Sequence, residues 1–393
     1  MPWKEHRPMS SKLEFIRQAV RPGANVSELC RQHGIARQTA YKWLRRYRAG
    51  GYRGLEELSR RPQASPTMTG HEIVKAVLAL RDRHPSWGPT KLTKVLMRTL
   101  GDSGPSPRTV ARLLQAAGRI RKRRPAVRVW HVEERPHVEV TAPNDLWTID
   151  FKGWWRARNG ERCEPFTVRD AMSRYVLAVQ VVASTRAPVI RHILEGLFAK
   201  HGVPTAMLMD NGSPWISTRA RAGLTTLSVW LISLGIRLYR SRVASPQDNG
   251  GHERMHRDLN ELKLSPGASR RGQQPLCDRW AVDFNQVRPH DSLAGKTPAE
   301  VYGSPPRRPI TLLVPVYPAG FVTRRVLSNG ELTMSGDRVS LGRPFIGQLV
   351  GLRYENGLRW RVFFFESDLG TIEVAGHDLI STEHASPNER IAT

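Results

Sequence analysis

Residues 146–155 read LWTIDFKGWW, an apolar stretch that indicates a buried β-strand near the middle of the chain. Side chains alternate between the two faces of a strand, so Thr148 and Asp150 would share one face, opposite Trp147. Burying a carboxylate there is costly unless it is paired or binds a metal ion. Asp150 is therefore a candidate functional residue, although an acid at a strand end that reaches solvent or an arginine would give the same pattern.

Strands and helices alternate on both sides of this stretch, which predicts an α/β layer fold. The apolar patterns predict further strands near residues 165–169, 175–182, 206–209 and 236–239. They predict helices near residues 188–200, 221–234, 249–264 and 275–287.

A second acid, Asp210, lies in MLMDNGSPW at residues 207–215. It follows an apolar strand and precedes the turn dipeptide Asn211-Gly212. Ligand sites in open α/β sheets favour the carboxyl ends of strands, so Asp210 is a candidate site residue. Taken alone, the motif is equally explained as a turn.

A third acid, Glu253, lies in SPQDNGGHERMHRDLN at residues 245–260, where a helix is predicted to begin. Glu253, His256 and Arg257 stand at positions i, i+3 and i+4, so one helical face would present an acid, an imidazole and a guanidinium. The alternative is an acid in the first turn that the helix dipole favours and that pairs with Arg257.

The chain is strongly basic, with 61 Lys+Arg against 35 Asp+Glu and a net charge of +26, which suits a polyanionic partner. Residues 1–140 hold 29 Lys+Arg against 11 Asp+Glu. Three short helices are predicted there in a helix-turn-helix pattern, whose third helix, near 36–48, fits the DNA major groove. The outward residues of that helix are the candidate DNA contacts, namely Arg37, Gln38, Tyr41, Lys42 and Arg45. An ordinary three-helix bundle with a solvated basic face is the alternative.

We predict a multidomain protein with all-α units, an α/β core and a small C-terminal β-barrel. Asn329-Gly330 and Asn356-Gly357 are hairpin signals in the barrel. Two roles are open for the second helical unit: it is either another DNA-contacting module or a plain packing domain. The predicted parts are a helix-turn-helix DNA-binding domain at 1–58, a second helical DNA-binding unit at 59–124, a linker at 125–143, the core at 144–304 and the barrel at 305–393.

The three cysteines, Cys30, Cys163 and Cys277, are widely separated and form no C-x-x-C motif, which argues against a disulfide framework and a cysteine zinc site. No signal-peptide core and no apolar run of about 18 residues is present. These features predict a soluble cytoplasmic protein, associated with the nucleoid and without a membrane partner.

Together the three acids form a specific pattern, with 59 residues between the first two and 42 between the last two. With these motifs and FNQVRPHDSLAGKTPAEVYG at residues 284–303, the sequence resembles the DDE transposases of bacterial insertion sequences, in the superfamily that includes retroviral integrases. The resemblance covers about residues 25–305. It implies an RNase H-like integrase core in which Asp150, Asp210 and Glu253 are the catalytic metal ligands.

The resemblance further implies a DNA transposase that binds element ends, cleaves phosphodiester bonds and joins 3′ ends to target DNA. Its cofactor would be two Mg²⁺ ions, for which Mn²⁺ can substitute, because in-line phosphoryl transfer is stabilised by a metal pair held by oxygen ligands. Its partners would be double-stranded DNA and further copies of the same chain. Possible substrate-positioning residues are Asn211, Asn249, His256 and Arg257, although turn formation explains both asparagines equally well.

Two rival functions remain open from the sequence. One is a helix-turn-helix DNA-binding regulator with an inactive integrase-like core, which would bind DNA without metal-dependent cleavage. The other is a general nuclease of RNase H-like fold, which would cut DNA without preferring any end.

Overall fold

The computed structural model describes residues 8–57, 68–120, 139–218, 220–241, 250–334 and 336–373. The chain divides into two compact units, Met1–Thr69 and Gly70–Thr393. Within the described ranges, no helix has both the length and the apolar character required to cross a membrane. The domain limits given above stay a prediction.

The described part of the first unit contains three α-helices, α1 (Pro8–Ala19), α2 (Val26–Gln32) and α3 (Arg37–Gly50). Asn25 caps α2 by accepting hydrogen bonds from two backbone N–H groups of its first turn. Gly34, at φ 64°, makes the turn before α3. A small core holds the helices together, built from Phe15, Ile16, Cys30, Ile35, Ala40, Trp43, Leu44 and Leu55.

The second unit begins with three more helices, α4 (His71–Arg83), α5 (Pro89–Leu100) and α6 (Pro107–Ala116). Ser106 caps α6 and Pro107 occupies its first turn, as the sequence predicts. Ion pairs join this helical segment to the rest of the unit, among them Lys94–Asp291 at 2.7 Å and Arg98–Glu300 at 3.0 Å.

A mixed sheet forms the centre of the second unit. Its strands are β1 (Leu146–Phe151), β2 (Trp155–Arg156), β3 (Arg162–Asp170), β4 (Val176–Val182), β5 (Ala206–Met209) and β6 (Arg237–Arg240). The order is β2-β3-β1-β5-β6, with β4 also on β3. Strands β1, β3 and β4 are antiparallel, whereas β1, β5 and β6 are parallel. This is an RNase H-like sheet, as predicted, except that Gly153 at φ 77° interrupts the stretch predicted as one strand.

Helices cover both faces of the sheet. They are α7 (Ala187–His201), α8 (Thr226–Ser233), α9 (Gly250–Leu259), α10 (Arg270–Gln286) and α11 (Pro298–Tyr302). Trp147 and Ile149 pack with α7 and α8 in the main core. Helices α9 and α10 pack on β4 from the other side. The alternation predicted for β1 is therefore confirmed.

The C-terminal part is β-rich, but the described strands do not close into the predicted barrel. They are β7 (Phe321–Arg325), β8 (Glu331–Met334), β9 (Asp337–Ser340), β10 (Leu349–Asn356), β11 (Arg359–Phe364) and β12 (Ser367–Glu373). A sheet of order β12-β11-β10-β7 and a separate β8-β9 pair stay open. Asn356-Gly357 makes the expected hairpin between β10 and β11. Asn329-Gly330 makes none, because β7 pairs with β10 and β8 with β9.

Candidate active site

Asp150 and Asp210 end neighbouring parallel strands. The register of β1 and β5 pairs Thr148 with Leu208, and the same offset sets Asp150 beside Asp210 just beyond the last residue of β5. Adjacent strands lie about 4.8 Å apart, and laterally paired residues point to the same face. The first two acids of the pattern therefore meet at one edge of the sheet.

Glu253 belongs to the first turn of α9, which lies on the same face of the sheet. His252, the residue before it, hydrogen-bonds through Nδ1 to Thr148 Oγ1 at 2.8 Å, which holds the helix against β1. Glu253 and Asp210 are exposed, whereas the Asp150 side chain is 25% exposed. The arrangement is an open acidic site with its most buried acid on the strand.

Asp150 is influenced electrostatically by the other two acids. Burial, and then repulsion by Asp210 and by Glu253, raises the pKa of Asp150 to about 7 against the lowering effect of the Phe151 backbone N–H and Lys152. Carboxylates that repel one another in this way are stabilised when a cation lies between them. The electrostatics of the site therefore fit a metal centre.

Asp170 shows how a structural acid on the same sheet differs. It is fully buried at the end of β3, and burial raises its pKa. Its carboxylate accepts hydrogen bonds from the backbone N–H groups of Asn144 at 2.9 Å and Ser173 at 2.7 Å and from the Ser173 hydroxyl. Asp170 is thus compensated by fixed donors, whereas Asp150 faces two other acids.

A buried hydrogen-bond network supports Asp150 from below. The Thr167 hydroxyl donates to the backbone oxygen of Asp150 at 2.9 Å and contacts Nε2 of both His252 and His256, at 2.6 and 2.7 Å. A hydroxyl carries one proton, so both histidines must donate to Thr167. The network therefore assigns the Nε2-protonated form to both rings, in agreement with the lowered pKa of His256, about 3, which burial and the nearby Lys152 and Lys263 produce.

We expect Thr167→Val to lower the free energy of unfolding by about 2–3 kcal/mol, because it leaves two buried imidazole N–H groups and the Asp150 carbonyl without a hydrogen-bond partner. Thr167→Ser keeps the hydroxyl and is the matched control. Denaturant unfolding of both variants measures the difference. Equal stability of the two variants would show that the network does not hold this strand in place.

The oxygen ligands fit magnesium better than the neighbouring imidazoles do. Atoms of Asp150, His252 and His256 lie within 4.8 Å of one another and form a possible metal group in the described residues. Both nitrogens of His252 are already hydrogen-bonded to threonines, and His256 Nδ1 is 3.6 Å from Asp150 Oδ2. The carboxylates of Asp150, Asp210 and Glu253 remain as the oxygen donors that a hard cation prefers.

The proposed positioning residues occupy different environments. Asn211 donates to the Ser241 carbonyl at 2.6 Å and so holds its own loop. His256 is buried and Glu253, one turn earlier on α9, is exposed, so the shared helical face of the two residues stays a prediction. Arg257 is exposed, and the described residues show no ion pair between it and Glu253. Asn249 lies outside the described residues.

In the first unit, the five candidate DNA contacts lie together on the outer face of α3. All are exposed, namely Arg37, Gln38, Tyr41, Lys42 and Arg45. Ala40, Trp43 and Leu44 of the same helix are buried. The helix therefore presents a basic, solvent-facing surface, and contact with DNA stays a prediction.

Several site residues were missed by sequence reasoning. His252 stands four residues before His256, a spacing that puts both on one helical face, and Thr148 shares a strand face with Asp150. The spacing of the two histidines and the shared strand face could have indicated the hydrogen-bond network around Asp150. Thr167 could not be found in this way, because its part depends on the antiparallel register that sets it opposite Asp150.

Comparison with known families matches both parts of the chain. Residues 140–246 and 234–298 match two families described as integrase core domain. Residues 11–63 match a helix-turn-helix domain and residues 39–114 a homeodomain-like domain. The integrase core matches include Asp150, Asp210 and Glu253.

Similar proteins include two from bacterial insertion elements. The IS476 uncharacterized 39.2 kDa protein of Xanthomonas euvesicatoria is 26% identical over 71% of this chain and 78% of its own length. The IS407 uncharacterized 31.7 kDa protein of Burkholderia multivorans is 24% identical over 72% of this chain and 92% of its own length. The uncharacterized protein K02A2.6 of Caenorhabditis elegans is 30% identical over 52% of this chain, which spans only 14% of that protein.

Among solved structures, the catalytic core domain of HTLV-2 integrase in complex with magnesium is 16% identical and covers 41% of this chain and 97% of its own, with a TM-score of 0.31. That likeness is too loose to add to the argument. The family matches, the insertion-element relatives and the RNase H-like sheet agree with one another. The chain contains integrase core and helix-turn-helix domains and is similar to proteins of bacterial insertion elements.

Proposed function

We propose that this protein catalyses DNA transposition by a two-metal DDE mechanism: it binds the ends of its element, cleaves phosphodiester bonds and joins the 3′ ends to target DNA. The observation that carries the proposal is that Asp150 on β1 lies near enough to Asp210 after β5 and to Glu253 on α9 for both to raise its pKa, together with burial. The integrase core matches and the insertion-element relatives support it.

In this mechanism Asp150, Asp210 and Glu253 hold the divalent cations through carboxylate oxygens. Both other acids raise the pKa of Asp150, so bound cations would compensate the charge of this residue in particular. Two Mg²⁺ ions, when bound, supply stabilisation of the attacking and leaving oxygens of an in-line displacement.

Other residues of the chain act on the substrate and on the acids. Lys152 lies beside Asp150, and Lys263 lies beside Lys152 and His256, so both ammonium groups can attract a DNA phosphate to the acids. Thr167 and the neutral His256 keep the β1 end in place. The nucleophile is water in end cleavage and a 3′ hydroxyl in joining.

Because two ends must be cut and joined together, we propose that the protein works as a homo-oligomer on double-stranded DNA. The exposed face of α3, which includes Tyr41, Lys42 and Arg45, is proposed to recognise the element ends. Short polar and basic side chains on a helix suit the base edges of the major groove.

The test uses a labelled duplex that carries the DNA flanking this gene, incubated with the full chain, a supercoiled plasmid and Mg²⁺. We expect label to be joined to the plasmid, joining to be lost with EDTA, and end binding to be lost in a Tyr41→Ala, Lys42→Ala, Arg45→Ala variant. Binding of the flanking DNA without joining would instead support the regulator. Plasmid cutting without end preference would support the general nuclease.

A further inference from the structure

A group of cationic side chains surrounds His290 where the α4–α6 segment meets the central domain. Burial, and to a smaller extent the neighbouring Arg288, Lys91, Arg174 and Arg169, lowers the pKa of His290 to about 3. Arg254 of α9 lies close to Lys91, Arg169 and Arg174, since it acts on the pKa of each. We call these residues the cation cluster: Lys91, Arg169, Arg174, Arg254 and Arg288.

Arg169 is the most buried member of the cation cluster. It is 4% exposed, and in the part of the chain that the structure describes its guanidinium forms no ion pair. Its planar group lies against Gly251 of α9, where an added Cβ would come within 2.5 Å of a guanidinium nitrogen. Burial, with repulsion by Arg174, lowers its pKa to about 9, so it still carries its charge at neutral pH. Asp170 attracts it without forming an ion pair, and a buried charge that is compensated only in part is costly, so an anionic partner would stabilise this site.

Arg174 and Arg288 also carry unused donors. Each has a buried Nε without a hydrogen-bond partner among the described residues. Arg174 adopts the left-handed backbone conformation, at φ 64°, which non-glycine residues rarely do. Lys91 is half-buried, and burial and Arg288 lower its pKa.

The nearby acids balance this charge only in part: Asp170 attracts Arg169, and Asp258 and Asp291 attract Lys91. Asp258 pairs with Arg288, and Asp291 pairs with Lys94 at 2.7 Å. Asp283 lies 3.3 Å from His84, and Asp170 is held by backbone and serine donors. Lys91, Arg169, Arg174 and Arg254 are left without an ion pair in the described ranges.

We propose that the cation cluster is a phosphate-binding site that takes a backbone phosphate of the DNA substrate, at the junction of the α4–α6 segment and the central domain. The identification of this phosphate as part of a DNA substrate rests on the proposed function. Arg169 and Arg288 form the buried floor, while the exposed Arg254 and the half-buried Arg174 and Lys91 form the open side. Guanidinium groups suit phosphate because they donate several hydrogen bonds in one plane.

The position of the cluster suits DNA held at the three acids. Arg169 stands two residues beyond Thr167 on β3, so it points to the same face about 7 Å along the strand. Arg254 directly follows Glu253 on α9. Lys91 comes from α5, so the site is complete only when the α4–α6 segment is docked.

The test compares Arg174→Gln/Arg254→Gln with the matched control Arg237→Gln, an exposed arginine on β6 at the far edge of the sheet. Full-length protein is titrated with a duplex oligonucleotide at several salt concentrations. Each phosphate that the protein neutralises adds about 0.9 to the slope of log K against log salt, and we expect the double variant to neutralise one phosphate fewer than the wild type. Its Tm without DNA should rise, since repulsion between unpaired cations is relieved, and the control should change neither quantity.

An unchanged slope in the double variant, an equally reduced slope in the control, or a lower Tm would overturn the proposal, the last because it would show a structural role. If inorganic phosphate raises the Tm of the wild type while the DNA slope stays unchanged in the double variant, the occupant is a free anion and not DNA. Asp150→Asn separates the two proposals: if it still cuts DNA, the catalytic assignment fails, yet the slope measurement still tests the phosphate site.

Discussion

Asp150→Asn is expected to reduce metal-dependent DNA cleavage at least about 100-fold while leaving DNA affinity unchanged. The substitution keeps the shape of the side chain and removes the carboxylate that interacts with both Asp210 and Glu253. The surface of α3 that is proposed to contact DNA is untouched. Loss of cleavage with retained binding is therefore the signature of a metal ligand.

The same substitution should stabilise the metal-free protein at alkaline pH. Folded Asp150 keeps its proton up to a pKa of about 7, whereas the unfolded chain loses it near 3.8. The folded state thus binds more protons between these values, so the free energy of unfolding of the wild type falls as the pH rises from about 4 to about 7. At pH 8 the variant should be more stable by up to about 4 kcal/mol.

Denaturant unfolding in EDTA at several pH values measures this effect. Mg²⁺ should then stabilise the wild type at pH 8 and stabilise Asp150→Asn much less, because a ligand that binds only the folded state raises its stability. Glu195→Gln changes an acid on the surface of α7 and is the control. Its free energy of unfolding should depend on pH and on Mg²⁺ as that of the wild type does. A wild type whose stability does not fall over this pH range would contradict the electrostatic description of the site.

Trp147→Ala is expected to cause the largest loss of stability, about 3–5 kcal/mol. The side chain is completely buried on the face of β1 opposite Asp150, and its ring packs against Phe198 at a centroid distance of 5.7 Å. Its Nε1 donates to Asn144 Oδ1 at 2.9 Å, so truncation also leaves this oxygen with one donor fewer. The cavity would lie directly beneath the strand that carries Asp150.

Trp154→Ala supplies the comparison, since this tryptophan follows the same strand but is 50% exposed. Its loss should change the free energy of unfolding by no more than about 0.5 kcal/mol. Denaturant unfolding of both variants measures the difference. Similar losses in the two variants would mean that burial in this core does not control the stability of the unit.

Much of the fold follows from local patterns in the sequence. The apolar alternation of β1 and the Ser106-Pro107 helix start each determine structure within a few residues, and both were predicted. The predicted closure of the C-terminal strands into a barrel was not confirmed, because closure depends on which distant strands pair. Asn329-Gly330 looks the same as Asn356-Gly357 locally, yet only the latter joins two strands that pair with each other.

The candidate site likewise contains some residues that the sequence reveals and others that it does not. The acids stand out because each interrupts an apolar strand or begins a helix, and family resemblance brings them together. Thr167 and Arg169 stand in no comparable sequence pattern. Their environment arises from the pairing of β3 with β1 and from the packing of α9 on top, which the spacing of residues along the chain does not reveal.

The most direct test of the central claim is nicking of supercoiled plasmid in Mg²⁺ and in Mn²⁺ by the wild type and by Asp150→Asn, Asp210→Asn, Glu253→Gln and the control Glu195→Gln. The wild type and the control should nick the plasmid, and the three acid variants should not. Equal nicking by all five proteins would contradict the claim that Asp150, Asp210 and Glu253 form the catalytic metal centre.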